Sequence, residues 1–292
     1  MTMATTTPDA PIASTPTTVV AFDGPDTWTI VKRVARVLLG GLISFAIAML
    51  VWWILVKLVD KPRQTRTPGD VFAYLFTDKG AAANRQEMLE SGKITLRDAA
   101  LGFFAGTVAA VITSCIFVLK RGVEQATMPL AMALRTVPLV AITPLIALIF
   151  GRDLLAVTVI AGIVTFFPTL VNVTLSLRSV PSEQIDLMRA YGANDRVTLL
   201  KVQFPSSLPA LFASMRIAAP LALIGAMLAE WLATGKGMGY LILQSGATFK
   251  IDRLWAATFL VTFASVILYT IISAVETVVL ARYAPGKSRK VL

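Results

Sequence analysis

Apolar residues in this chain fall in long runs without alternation, and six of them approach the roughly 20 residues that carry a helix across a bilayer core. The first runs from about Val34 to Val59 and the second from about Ala99 to Leu119. The third, about Met128 to Phe150, carries Arg135 near its start and Pro129, Pro138 and Pro144 within it. The fourth, Leu154 to Leu177, has no charge, and the last two are Leu211 to Leu232 and Leu254 to Ala281. Backbone groups in lipid must be satisfied within each segment, which helices achieve, whereas unalternating runs do not suit barrel strands. The pattern predicts an all-α integral membrane protein of about six transmembrane helices.

The polar stretches divide the chain. Residues 1–28, rich in Thr, Pro and Ala and without Lys or Arg, read as a disordered N-terminal tail with no secretory leader. Residues 29–97 hold the first membrane helix and an external segment, whose part from about Thr67 to Arg97 reads as short amphipathic helices lying along the interface. Residues 98–282 form the transmembrane core, interrupted by a polar loop at 178–210, and 283–292 are a basic tail. Six crossings put both termini on one side, and the basic tail favours the cytoplasm. The tally of Lys and Arg on the two faces is nearly even, so charge alone does not orient the chain.

Composition agrees with burial in lipid: 56% of residues are hydrophobic and 15% charged. The net charge of +10 lies between apolar runs, which favours a membrane surface over nucleic acid as partner. The chain has no histidine and one cysteine, Cys115, so it offers no imidazole acid–base chemistry, internal disulfide or paired-thiolate metal site. No catalytic, cofactor-binding or metal-binding residues are expected. Gly286-Lys287-Ser288 lacks the first glycine of a phosphate loop, since position 281 is Ala, and reads as part of a tail meeting anionic headgroups.

The loop Arg178–Ala210 has the most local structure. Ser182 after Pro181 is a candidate N-cap, and Glu183 puts negative charge at the positive end of a helix dipole. Ile185, Met188 and Tyr191 form an apolar stripe, and Gly192 supplies the left-handed residue that ends a helix. Asn194 is placed to cap a second helix with Val197, Leu200 and Phe204 on one face, and Pro205 and Pro209 mark its end. Two short helices at a sharp angle fit a docking knob; they equally fit a hairpin resting on the bundle's own face.

These residues resemble a family. Asp186 through Gly192, followed by Pro205 and Pro209 and by Met215-Arg216-Ile217-Ala218, is similar to the cytoplasmic loop of type I ABC importer permeases, usually described as Glu-Ala-Ala, three residues, Gly, then a stretch ending in Leu-Pro. Asp186 stands at the Glu position and Leu187 and Met188 at the two Ala positions, a bulkier pair than the pattern. Leu134-Arg135-Thr136-Val137-Pro138, Phe166-Phe167-Pro168 with Asn172, and Ala229-Glu230 followed by Gly237-Met238-Gly239-Tyr240-Leu241-Ile242 match further family pieces in order, over about residues 95–282. The branch most resembled transports nitrate, sulfonates and taurine, and includes permeases for pyrimidine thiamine precursors and riboflavin.

The resemblance implies a MetI-like permease fold with a cytoplasmic coupling helix in a plasma-membrane protein, both termini cytoplasmic. It implies separate ABC ATPase subunits that bind the ATP and Mg, a second permease copy or paralogue, and an extracytoplasmic solute-binding protein. Coupling to the ATPase would fall to Glu183, Asp186, Ala190, Gly192, Ala193, Pro205 and Pro209. Phe166, Phe167, Asn172 and Glu230 are candidates for the translocation pathway, with helix packing or a structural hydrogen bond as the plainer alternative for each. Arg135 and Arg216 read as headgroup anchors and Glu276 as reaching water. The competing reading is a secondary transporter or channel driven by an ion gradient, although no internal repeat or midplane carboxylate pair is evident.

Overall fold

The protein, seen in a computed structural model, is described over residues 27–59, 61 and 63–283. The expected disordered tail and the basic tail fall outside these residues except at their inner ends. The helices are α1 (Thr27–Val59), α2 (Pro68–Phe72), α3 (Ala81–Leu119), α4 (Arg121–Thr136), α5 (Leu139–Phe150) and α6 (Leu154–Arg178). They continue with α7 (Ser182–Ala190), α8 (Asp195–Thr198), α9 (Phe204–Ala229), α10 (Gly237–Ala247) and α11 (Ile251–Tyr283). Three π-helical turns, Ala73–Thr77, Leu199–Gln203 and Glu230–Thr234, join neighbouring pieces, and no strand occurs among the described residues.

Five helical stretches are long and apolar enough to cross a membrane, six if the bent pair α4–α5 counts as one. At the centre α3, α6 and α9 pack backbone to backbone. Gly102 and Gly106 of α3 lie against Ala161, Gly162 and Thr165 of α6, and Gly225 of α9 meets the same Ala161, with no room for a β-carbon at any of the three glycines. Hydroxyls bridge the contact without exposing polar groups to lipid: Ser114 Oγ donates to Leu170 O at 3.2 Å and Thr174 Oγ1 donates to Ser114 Oγ at 3.1 Å. A chain of buried Ala, Val, Ile and Leu, including Val157, Ile160, Ala218, Ala222 and Ala226, fills the rest of this core.

Outside the core, α1 packs on α11 through Phe45, edge-on to Phe263 at 5.2 Å, and through stacked Trp52 and Trp255 at 5.5 Å. The connection from α1 to α3 is fastened at several points. Thr67 and Asp70 form a capping box, Thr67 N donating to Asp70 Oδ2 at 2.8 Å, and this amide holds the Asp70 carboxyl below the usual carboxylate range. Arg66 bonds Asp252, which raises the guanidinium's pKa, Trp255 Nε1 donates to Gln64 O at 3.0 Å, and Arg253 pairs with Glu87 at 3.0 Å.

Two expectations are corrected. The segment to Arg97 is not a set of short interfacial helices throughout: from Ala81 it is the first part of the 39-residue α3, about 58 Å long and well beyond a bilayer core. Its charges sit on a helix that continues straight into the crossing. The third crossing is not one helix either, because α4 and α5 meet at 106° across Val137-Pro138. Pro138 lacks an amide and pushes Val137 to an extended conformation (φ −71°, ψ 127°), so the helix stops.

Candidate coupling site and helix core

The loop between α6 and α9 is short-tethered at both ends. Ser179 N closes α6 by donating to Leu175 O at 3.1 Å, and only Val180 and Pro181 separate it from α7. Pro181 is the N-cap and makes no side-chain bond, so Ser182 is the first helical residue, one position inside the expected cap. Pro181 (φ −54°, ψ 137°) turns the chain into the helix, and its carbonyl accepts from Gln184 N at 3.1 Å. Glu183 lies in the first turn and Arg189 in the last, each at the end of the dipole that favours its charge.

The far end of α7 closes as expected at Gly192 (φ +74°). Gly192 N donates to Arg189 O at 2.8 Å and Ala193 N to Met188 O at 3.0 Å, the paired bonds of a Schellman turn. Asn194 Oδ1 then accepts from Val197 N at 2.9 Å, capping α8. The helix that follows does not end at the prolines. Through the π turn it runs unbroken into α9, with Pro205 in the first turn, where a missing amide is cheapest, and Pro209 inside. The π turn also rotates the face: Thr198, Leu199 and Gln203 are buried while Leu200 is exposed, so the stripe expected through Leu200 does not form.

Gln203 locks the assembly. Its Nε2 donates to the buried Leu177 O at 3.1 Å, joining the start of α9 to the end of α6. Val173, Leu177 and Leu199 pack together beside Cys115, Val118 and Phe204. Arg178 forms an ion pair with Glu124, which brings the start of α4 to the same point. On α7 itself nothing is buried. Ile185 and Met188 are half-covered, whereas Glu183, Asp186, Leu187, Ala190 and Tyr191 are open to solvent, Tyr191 at 83%.

The expected pathway residues separate. Phe167 and Pro168 line a cavity of about 230 Å³ with Arg135, Val137, Ile142 and Leu221, at the elbow between α4 and α5. Phe166, edge-on to Phe167 at 5.3 Å, turns instead into the cluster of Ala110, Phe117 and Leu170, and Asn172, one turn after Pro168, is half-buried. Glu230 is fully buried and directed at the N-terminus of α10, where its Oε2 accepts from Gly239 N at 2.8 Å. Beside it Met238 N donates to Thr95 Oγ1 at 2.8 Å, tying α10 to α3. Arg216 and Glu276, read separately as a headgroup anchor and an acid reaching water, instead pair with each other at 3.1 Å between α9 and α11. Two opposite charges in separate spans are the signal that could have revealed this pair.

A multi-pass helical membrane protein with a capped, outward-facing hairpin between two core helices is the class that fold and site define. Residues 100–284 match the family described as binding-protein-dependent transport system inner membrane component, and the chain belongs to that family, the permeases of ABC importers. A probable ABC transporter permease of Haemophilus influenzae is 27% identical over 80% of this chain and 93% of its own length. The formylaminopyrimidine transport permease ThiX of Halalkalibacterium halodurans is 26% identical over 81% of this chain and 92% of its own. The riboflavin transport permease RibX of Chloroflexus aurantiacus is 34% identical over 53% and 58%. The fold matches a solved inward-facing MetNI methionine ABC transporter, with TM-score 0.56 over 70% of this chain and 99% of that one at 17% identity. The chain is thus a membrane-spanning permease subunit of an ATP-driven importer, and the ion-gradient alternative is not favoured.

Proposed function

We propose that α7 docks on a separate ABC ATPase subunit and that its displacement rocks α6 and α9. The observation that carries this reading is the pair of short tethers around α7, with the Gln203–Leu177 bond closing the base of the hairpin. Glu183, Asp186, Leu187, Ala190 and Tyr191 supply the contact surface, Gly192 and Ala193 set its angle, and Pro205 and Pro209 lie in the helix that carries the motion onward. ATP and Mg belong to the partner, and this chain catalyses no reaction. Two permease subunits, identical or paralogous, flank the pathway, and a solute-binding protein delivers cargo on the face opposite α7. Both termini and α7 are cytoplasmic.

The elbow cavity with Phe167 and Arg135 forms this subunit's share of the pathway, with Phe166 and Asn172 backing it and Glu230 holding α10 in place. Its cargo is a small solute of the sulfonate, nitrate, taurine or pyrimidine and riboflavin-type precursor kind, and the formylaminopyrimidine and riboflavin permeases among the relatives support the last part of that range. The test is reconstitution with the cognate ATPase and binding protein in liposomes. Uptake should require ATP, stop with vanadate and survive an uncoupler; unaided transport by this chain would end the proposal. A Ser182→Cys probe in a Cys115→Ser background should react with a membrane-impermeant maleimide in inside-out vesicles and not in right-side-out ones.

A further inference from the structure

A groove of about 330 Å³ lies between α3 and α11, away from the coupling hairpin and the elbow. Its walls are apolar: Met88, Leu89, Gly92 and Leu96 on α3 and Leu260, Phe263, Ala264 and Ile267 on α11. Its two charged lining residues are both cations, Arg85 and Lys93. A β-carbon on Gly92 would touch only the Met238 methyl, at an ordinary contact distance of 3.6 Å, so there is free space on this side of α3.

Depth can be read from the neighbours. Met88 packs in one cluster with Ala256 and Ala257, next to the stacked Trp52–Trp255 pair. Tryptophans near helix ends favour the membrane interface; Trp255 lies in the second turn of α11 and Trp52 two turns before the end of α1, which puts Arg85, one turn before Met88, near headgroup level. From Trp255 to Ile267 α11 descends about 18 Å, close to half of a roughly 30 Å hydrocarbon core. The groove is therefore about one leaflet deep and apolar along its walls, with Arg85 at its mouth and Lys93 rooted about 12 Å further along α3, from where its long side chain can reach back toward the headgroups.

The cations are not neutralised locally. Arg85 Nη1 donates to Leu75 O at 2.8 Å and its guanidinium lies 5.6 Å from the Phe76 ring, both uncharged partners, and Lys93 is exposed with no ion pair among the described residues. Of the nearby acids, Glu87 pairs with Arg253, and Glu90 accepts from the Gln86 amide and forms no ion pair with Lys93 among the described residues. We propose that this groove holds one acyl chain of an anionic phospholipid, with its phosphate against Arg85 and Lys93.

Native mass spectrometry of the purified, delipidated full-length protein tests this with phosphatidylglycerol and phosphatidylcholine added in turn. Phosphatidylglycerol should be retained in preference. Arg85→Gln and Lys93→Gln should each lower its retention about fivefold and leave phosphatidylcholine unchanged, the size expected for one cation near a membrane surface. Arg85→Lys should keep the preference, which separates loss of charge from loss of fold, and Gly92→Leu should lower retention of both lipids by filling the groove. Equal retention of the two lipids by the unaltered protein, or no change in the Arg85→Gln/Lys93→Gln variant, overturns the proposal. So does a Gly92→Leu variant that dissociates a dimer while its lipid adducts persist, because the groove would then belong to a second copy.

Discussion

The carboxylate of Glu230 occupies the space that a side chain on Gly237 would need. Gly237 sits at φ +87°, and two residues on Gly239 N donates to Glu230 Oε2 at 2.8 Å, so one acid both fills a glycine's vacancy and caps a buried helix start. Glu230→Gln should keep the acceptor and fold normally. Glu230→Leu, which leaves a buried amide unpaired, should destabilise the detergent-solubilised protein by about 1–3 kcal/mol in thermal unfolding.

Gly239→Ala should cost stability by a different route. Its β-carbon would meet Met227 Cα at 2.8 Å and Met227 C at 2.9 Å, backbone atoms that cannot swing aside. A lower melting temperature with loss of roughly 1–3 kcal/mol is expected, as for overpacking generally. An unchanged melting temperature would mean that α10 is free to slide.

Gly192→Val should leave membrane insertion intact and weaken ATPase association. A β-branched residue at φ +74° strains the left-handed turn by about 1–2 kcal/mol, or the hairpin reopens at another angle. Pull-down with the cognate ATPase and solute-stimulated ATP hydrolysis read the outcome. Full activity of both would show that the turn geometry is irrelevant to coupling.

Gln203→Leu should separate binding from transmission. The ATPase still finds α7, but the buried Leu177 carbonyl loses its donor and α6 is no longer fastened to α9. Basal hydrolysis should persist while solute stimulation and uptake fall together. A fall in ATPase affinity instead would place Gln203 in the docking surface.

Arg216 and Glu276 make a double-mutant cycle. Each single change to Ala strands a charge in a half-covered site between α9 and α11, and the double change removes both. Each side chain keeps some exposure, so screening limits the coupling to on the order of 1 kcal/mol. Additive single effects in thermal unfolding would mean that the pair contributes nothing.

Local chemistry was legible in the sequence and long-range geometry was not. The uncharged runs of α1 and α6 announce themselves by composition, and Gly192 and Asn194 act within their own turns, so each was readable in place. Residues 81–97 carry Arg85, Glu87, Glu90, Lys93 and Arg97, and no local signal says that such a helix continues into the crossing. The third run reads as one crossing despite Pro138, because a proline inside a membrane helix fits a mere kink as well as a break, and the π turn at Leu199–Gln203 moved the buried face by a register shift that periodicity assumes away. The Arg216–Glu276 pair and the groove at Arg85 depend on which helices become neighbours.

The elbow at Val137-Pro138 has a further consequence. With 12 residues, α5 reaches only about 18 Å, and its exposed flank carries Leu148 and Ile149. Hydrocarbon tails offer no hydrogen bonds to the amides and carbonyls freed where the rod snaps, so that side of the subunit must be met by another protein surface or wetted. The fracture therefore marks a flank of the subunit that faces protein or water in preference to lipid.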